Sequence, residues 1–194
     1  MASLTKTEAR TAILAARRAV AQAVHDAEAD ALCGHLAGLV GATQTVCAYV
    51  PIRFEPGSIA LLDSLLQLHK RVLLPVARTD EDGVPLPMQW GVYRSGGLVP
   101  ARLGLHEPQQ PWLPAEAVAE AAVVLVPALA VDRAGTRLGR GAGFYDRTLP
   151  LAAPTARLVA VVRDAELVDE LPAEPHDVAM THALTPGRGV VGLG

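Results

Sequence analysis

Between Arg137 and Arg147 the chain reads RLGRGAGFYDR. Glycines at alternate positions, Gly139, Gly141 and Gly143, let the backbone take positive φ and approach a ligand closely, turning successive N–H groups toward one anion. Arg137, Arg140 and Arg147 add forked guanidinium donors that match phosphate oxygens. A helix starting near Phe144 would aim its unpaired amides and the positive end of its dipole into the same concavity. Together these residues predict a phosphate-binding loop. A glycine-rich turn edged by solvated arginines satisfies a bare GxGxG equally well, so the flanking residues must decide.

Neither common nucleotide fingerprint fits. A P-loop needs Lys followed by Ser or Thr after its last glycine, where this chain has Phe144 and Tyr145. The dinucleotide pattern needs two residues between its second and third glycines, and only Ala142 stands there. The longer segment VPALAVDRAGTRLGRGAGFYDR, however, resembles the central motif of the 5-formyltetrahydrofolate cyclo-ligase family, also called methenyltetrahydrofolate synthetases. It departs from that motif at Ala128 for Gly, Val131 for Phe and Phe144 for Tyr, and keeps every charged position and the glycines of the loop.

The resemblance implies ATP contacts from Arg137, Leu138, Gly139, Arg140, Gly141, Ala142, Gly143, Phe144 and Tyr145, with Arg140 and Tyr145 as catalytic residues. Tyr145 would also touch the folate, orient the formyl group or the transferred phosphate, or simply pack. Lys6, Arg10 and Arg17 fall within about 40° on a helical projection at about 100° per residue, a stripe that a solvated helix face also explains. The family's N-terminal Lys and Arg, four residues apart, match Lys6 and Arg10 and make them nucleotide contacts, with Arg17 a weaker candidate. Tyr49, Pro51 and Glu55 resemble the segment whose Glu contacts the pterin. A carboxylate there can accept two parallel hydrogen bonds from an aminopyrimidinone edge. Asp146 and Asp177 match magnesium-binding carboxylates. Thr181 stands where the family often has a further Asp, and His176 adjoins Asp177. Trp90, Tyr93, Gly104, Glu107 and Pro108 also resemble family segments, although Trp90 reads equally as core and Glu107 as a turn cap. Asp132 and Gly135 need no more than a type I turn.

The reaction so implied is ligation forming a C–N bond. ATP phosphorylates the formyl oxygen of 5-formyltetrahydrofolate, a folate nitrogen attacks the activated carbon, and loss of phosphate gives 5,10-methenyltetrahydrofolate and ADP. Mg²⁺ would be the cofactor, and ATP and the folate the small-molecule partners. A non-catalytic nucleotide- or folate-binding regulatory relative is the alternative, and a sugar-phosphate isomerase or CoA-transferase of related architecture a more distant one.

These side chains need a scaffold, and the chain alternates helical and strand patterns. Helical periodicity covers residues 5–40, as one long or two consecutive helices, and 57–70. Apolar runs at 45–52 and 71–77, with a weaker one at 87–93, read as strands, and those at 121–127 and 157–163 as strands buried on both faces of a parallel or mixed sheet. Residues 94–114, rich in Gly and Pro without a period, read as a long surface connection. The expectation is one domain over residues 1–194, of the α/β class. The resemblance implies a three-layer α/β/α sandwich related to the ribose-phosphate isomerase and CoA-transferase group.

The 51% hydrophobic and 19% charged composition marks a globular chain. The net charge of −3 argues against nucleic acid as a partner. Cys33 and Cys47, without CxxC spacing, suggest reduced thiols rather than a disulfide framework. The longest apolar run, 121–131, is too short to cross a bilayer, and Lys6, Glu8 and Arg10 stand where a secretory apolar block would be. A cytoplasmic enzyme without membrane association, monomeric by default, is expected.

Overall fold

The computed structural model describes residues 5–101, 105–174 and 177–194. Its first helix, α1 (Lys6–Arg18), starts where Thr5 and Glu8 form a capping box, each satisfying a backbone N–H of the other. The second, α2 (Gln22–Val40), stops at Gly41 with φ +47°. The 5–40 pattern is therefore two helices.

Strand β1 (Thr45–Cys47) follows, then α3 (Ile59–Gln67), capped by the Ser58 hydroxyl, and β2 (Arg71–Val76). Next come β3 (Gln89–Val92), β4 (Leu98–Pro100), β5 (His106–Pro108) and β6 (Trp112–Leu113). The second half holds β7 (Val123–Pro127), β8 (Ala130–Asp132), β9 (Arg137–Leu138), α4 (Phe144–Thr148), β10 (Arg157–Val161), β11 (Leu167–Val168), β12 (His182–Thr185) and β13 (Gly189–Gly192). Two expectations change. The 45–52 run is a strand only to Cys47, because the chain leaves the sheet toward Pro51, which has no N–H to donate. The 94–114 stretch is not one irregular connection, since β4 and β5 pair as a small antiparallel ribbon and β6 adds to the edge of the main sheet.

The main sheet has the order β13-β12-β10-β7-β1-β2-β3-β6. Its five central strands, β12 through β2 in that order, are parallel, and β13, β3 and β6 are antiparallel additions. One face, with Val46, Val72, Leu125 and Val159, packs on Leu32, Leu36 and Leu39 of α2 and Leu61, Leu62 and Leu65 of α3. The other, with Cys47, Leu73, Val124 and Ala160, is covered by shorter pieces that include the 3-10 turn at Ala115–Glu120 and Leu149. The sheet is thus buried on both faces, which accounts for its uninterrupted apolar strands.

After β1 the chain builds one flank of the sheet through β2, β3 and β6, then returns to the other side of β1 with β7. Strands β1 and β7 therefore flank the point where the strand order reverses. In open α/β sheets, ligands collect beyond the carboxyl ends of the strands at such a point. The loop after β1 carries Glu55 and the loops after β7 carry the glycine-rich segment, so both candidate motifs leave from that crevice.

Candidate active site

Past Pro127 the chain enters a small sheet of order β11-β8-β9, and β9 hands directly to Gly139. The turn between β8 and β9 is built on Asp132, whose buried carboxylate accepts from the N–H groups of Ala134, Thr136 and Leu171. Gly135 in that turn has φ +91°, and a Cβ there would lie 2.3 Å from the Met180 carbonyl oxygen. We expect Gly135→Ala to cost at least about 2 kcal/mol, from the left-handed backbone together with a clash against main chain that cannot rotate away. Chemical denaturation against the parent chain measures this.

The loop lines a cleft of about 350 Å³ together with Lys6 and Arg10 of α1, Pro85, Asp146, Arg147, Glu174 and Asp177. Gly141 and Gly143 have φ of +93° and +80°, as a loop that turns its amides toward a ligand requires. Gly143 caps α4, which is only five residues long, so its dipole contributes less than the sequence suggests. Arg10 Nε donates to the Gly139 carbonyl at 2.9 Å and ties α1 to the loop. Arg137 is nearly buried, its Nη2 donating to Asp146 Oδ1 at 2.6 Å, with the Tyr145 ring 5.6 Å from the guanidinium carbon. The buried Nε of Arg137 has no hydrogen-bond partner among the described residues, an open donor beside the cleft. Lys6 Nζ meets Asp177 at 2.9 Å and Glu174 at 3.1 Å. Burial pulls its ammonium down, but the two carboxylates outweigh that and hold it above its ordinary value.

Arg140 points elsewhere. Its Nε lies 3.1 Å from Glu55 Oε1, so the loop's middle arginine reaches out of the cleft toward the segment that follows β1. There Glu55 is buried, and its Oε2 accepts from the Ile52 N–H at 3.1 Å. Burial pushes this carboxyl above its ordinary value, opposed by the Ile52 N–H and by the Arg140 and Arg17 guanidinium groups. Tyr145 is partly buried against the core beneath the loop, and burial pushes its phenol above the ordinary range, keeping it a neutral donor.

Other residues take structural places. Leu138 is in the core against Ile13 and Leu14, leaving only its backbone for a ligand. Arg17, the weaker phosphate candidate, is buried and clamps Glu166 with Nε and Nη2, both at 2.7 Å. Thr181 bridges its hydroxyl to the N–H and carbonyl of Leu158 on β10. Trp90 and Tyr93 are core, and Glu107 forms a two-bonded pair with Arg78. Gly104 and His176 lie outside the described residues. Glu174 and Pro85 line the cleft unforeseen. Glu174 lay three residues before an identified carboxylate, whereas nothing around Pro85 marked it.

The family model for the 5-formyltetrahydrofolate cyclo-ligase family matches residues 2–186. A 5-formyltetrahydrofolate cyclo-ligase of Mycolicibacterium smegmatis is 66% identical over 193 residues, covering all of both chains. One from Escherichia coli K12 is 32% identical over 145 residues, covering 74% of this chain and 79% of the relative. In fold, the chain is similar to the 5,10-methenyltetrahydrofolate synthetase of Aquifex aeolicus, with TM-score 0.80, 22% identity and coverage of 97% and 93%. It is also similar to the synthetase from Mycoplasma pneumoniae, with TM-score 0.71, 18% identity and coverage of 91% and 96%.

Proposed function

This chain belongs to the 5-formyltetrahydrofolate cyclo-ligase family, and from that premise we propose that it converts 5-formyltetrahydrofolate and ATP into 5,10-methenyltetrahydrofolate, ADP and phosphate at the crevice beyond β1 and β7. The observation that carries the assignment of the site is the Arg140–Glu55 pair, which joins the phosphate-binding loop to the buried carboxylate of the neighbouring segment. A reaction that moves a phosphoryl group from nucleotide to folate needs two such subsites in contact.

The chemistry asks for positioning and charge neutralisation more than for covalent participation by the protein. In our reading the amides of residues 139–143, the open donor of Arg137, and Lys6, Arg10 and Arg147 hold the triphosphate. Glu55 accepts from the pterin edge. Arg140 stands between them, where charge develops as the γ-phosphoryl group passes to the formyl oxygen and stabilising donors contribute most. Tyr145 supports Arg137 from below and offers a neutral hydroxyl to the same region. Attack of the folate nitrogen on the activated carbon then closes the ring and expels phosphate.

Asp146 and Asp177 both line the cleft and fit Mg²⁺, which is held by one or two carboxylates completed by phosphate oxygens. Each is paired with a cation in this structure, Asp146 with Arg137 and Asp177 with Lys6, so both are placed to exchange that partner when the triphosphate neutralises the cations. The ion, when bound, would neutralise phosphate charge. No described helix is long and apolar enough to cross a membrane, and we infer a cytoplasmic, monomeric enzyme.

The purified protein is expected to produce the methenyl chromophore from 5-formyltetrahydrofolate only when MgATP is present. Binding of both ligands without product would instead favour a regulatory relative.

Glu55 supplies a second test. An acid with a raised folded-state value binds its proton more tightly in the folded chain than in the unfolded one. Folding stability therefore falls as pH rises from the unfolded value through the folded one, and the loss is complete above the folded value. Glu55→Gln, which keeps an acceptor for the Ile52 N–H, should leave stability at pH 7 equal or higher. It should also raise the KM for the folate at least about tenfold, since a charged acceptor contributes more than a neutral one. Thermal melts and steady-state kinetics report the two effects separately.

A further inference from the structure

Arg163 stands just past β10, the parallel strand beside β7, with its side chain only 9% exposed. Its three nitrogens go to separate places. Nε donates to Glu28 Oε2 at 2.7 Å and Nη2 lies 3.2 Å from His25 Nδ1, both on α2. Nη1 reaches 3.1 Å to the carbonyl oxygen of Phe54, the residue before Glu55. The Arg163 backbone N–H donates to Glu166 Oε2 at 2.8 Å, on the same carboxylate that Arg17 clamps. A guanidinium is costly to bury unless such partners meet it, so one that gives a donor to a loop carbonyl fixes that loop firmly.

The loop needs fixing. Arg53 has φ +48°, in the left-handed region that a side chain disfavours, and Phe54 is 42% exposed and adds little packing. A loop in that state persists only where its surroundings over-determine it. Its other backbone ties are internal or nearby, from Glu55 N–H to the Ile52 carbonyl and from the Tyr49 hydroxyl to the Pro56 carbonyl, while Arg140 meets only the Glu55 carboxylate. Arg163 supplies a tie from a different strand.

We propose that Arg163 is a positioning residue which, through the Phe54 carbonyl, sets where the Glu55 carboxylate meets the folate. It touches neither substrate. The inference rests on the assignment of Glu55 to the folate.

The test compares Arg163→Met, Arg163→Lys, Glu55→Gln and the double variant Arg163→Met/Glu55→Gln by steady-state kinetics. Arg163→Met should raise the KM for 5-formyltetrahydrofolate about tenfold while leaving the KM for MgATP within about twofold, the size of effect expected for one lost charge-assisted hydrogen bond. Arg163→Lys, able to offer one donor to the same carbonyl, should rescue part of the loss and rise only about threefold. The double variant should match Glu55→Gln alone in folate KM, because the arginine acts through that carboxylate. A merely structural arginine would change both KM values together or lower the amount of active enzyme without moving either.

Equal shifts in both KM values, a folate KM at the parent value, or additive losses in the double variant would each overturn the proposal. Should Arg163→Met not fold, Arg163→Lys carries the comparison, and a parental folate KM in it is equally fatal. If Glu55→Gln itself leaves the folate KM unchanged, the assignment of Glu55 falls. If it raises that KM while the Arg163 variants do not, only the positioning role falls.

Discussion

Arg140→Ala is expected to slow turnover at least about a hundredfold at saturating ATP and folate, the usual scale for removing a preorganised donor from a developing negative charge. The expectation follows from where the side chain sits. It leaves the glycine loop on one side and meets Glu55 on the other, spanning the two subsites instead of lining the phosphate cleft. Its own side chain is 45% exposed but that of Glu55 only 8%, so the pair is screened at one end alone and its loss costs some stability. The melting temperature should therefore fall by no more than a few degrees, far less than turnover does. Single-turnover kinetics with product detected at the methenyl band, beside a thermal melt, measure both halves. Near-parental turnover would remove Arg140 from the chemistry.

Arg17→Ala should behave in the opposite way, with a large loss of stability as the primary effect. Arg17 and Glu166 form a pair with side chains only 2% and 9% exposed, and Arg17 Nη2 also donates to the Ala128 carbonyl at 2.7 Å. Removing one member leaves a buried carboxylate without its cation, which costs about 3–5 kcal/mol. In a chain of this size that lowers the melting temperature on the order of 10 °C. Replacing both members with apolar residues, as in Arg17→Met/Glu166→Leu, should recover much of the loss, since the desolvation penalty leaves with the charges. Differential scanning calorimetry of the parent and the two variants decides it. If the single and double variants melt alike, the pair does not carry the stability ascribed to it.

Much of the proposed site was legible because its chemistry is local. The glycines, arginines and Asp146 of the loop lie within eleven residues, so the motif could be matched as a unit once its flanks were included. The distant candidates, Lys6, Arg10, Glu55 and Asp177, came only through resemblance, since nothing in their own neighbourhoods separates them from solvated charges. Arg17 shows the limit. It shares a helical stripe with Lys6 and Arg10, yet two further turns along the helix put it over Ala128 and Glu166 instead of the cleft.

In the fold, continuous apolar runs such as VVLVP and RLVAV were plain as buried strands. The short pairings β4 with β5 and β8 with β9 were hidden, because two or three residues cannot show a period and their Pro and Gly neighbours imitate loop. The turn between β8 and β9 was read correctly from DRAG, but the strands on either side of it were not.

Helix α1 is lightly packed along most of its length. Arg17 is its one fully buried residue among those described, and only Ala9, Ile13 and Leu14 lean on the small cluster below. Lys6 and Arg10 thus ride on the first two turns of an arm pinned further along by the buried Arg17–Glu166 clamp, so opening of those turns alone would uncover one wall of the cleft while the clamp and the eight-stranded sheet stay whole. Polyanion engagement and the docking of that arm are then two views of a single equilibrium, each drawing on the other's free energy.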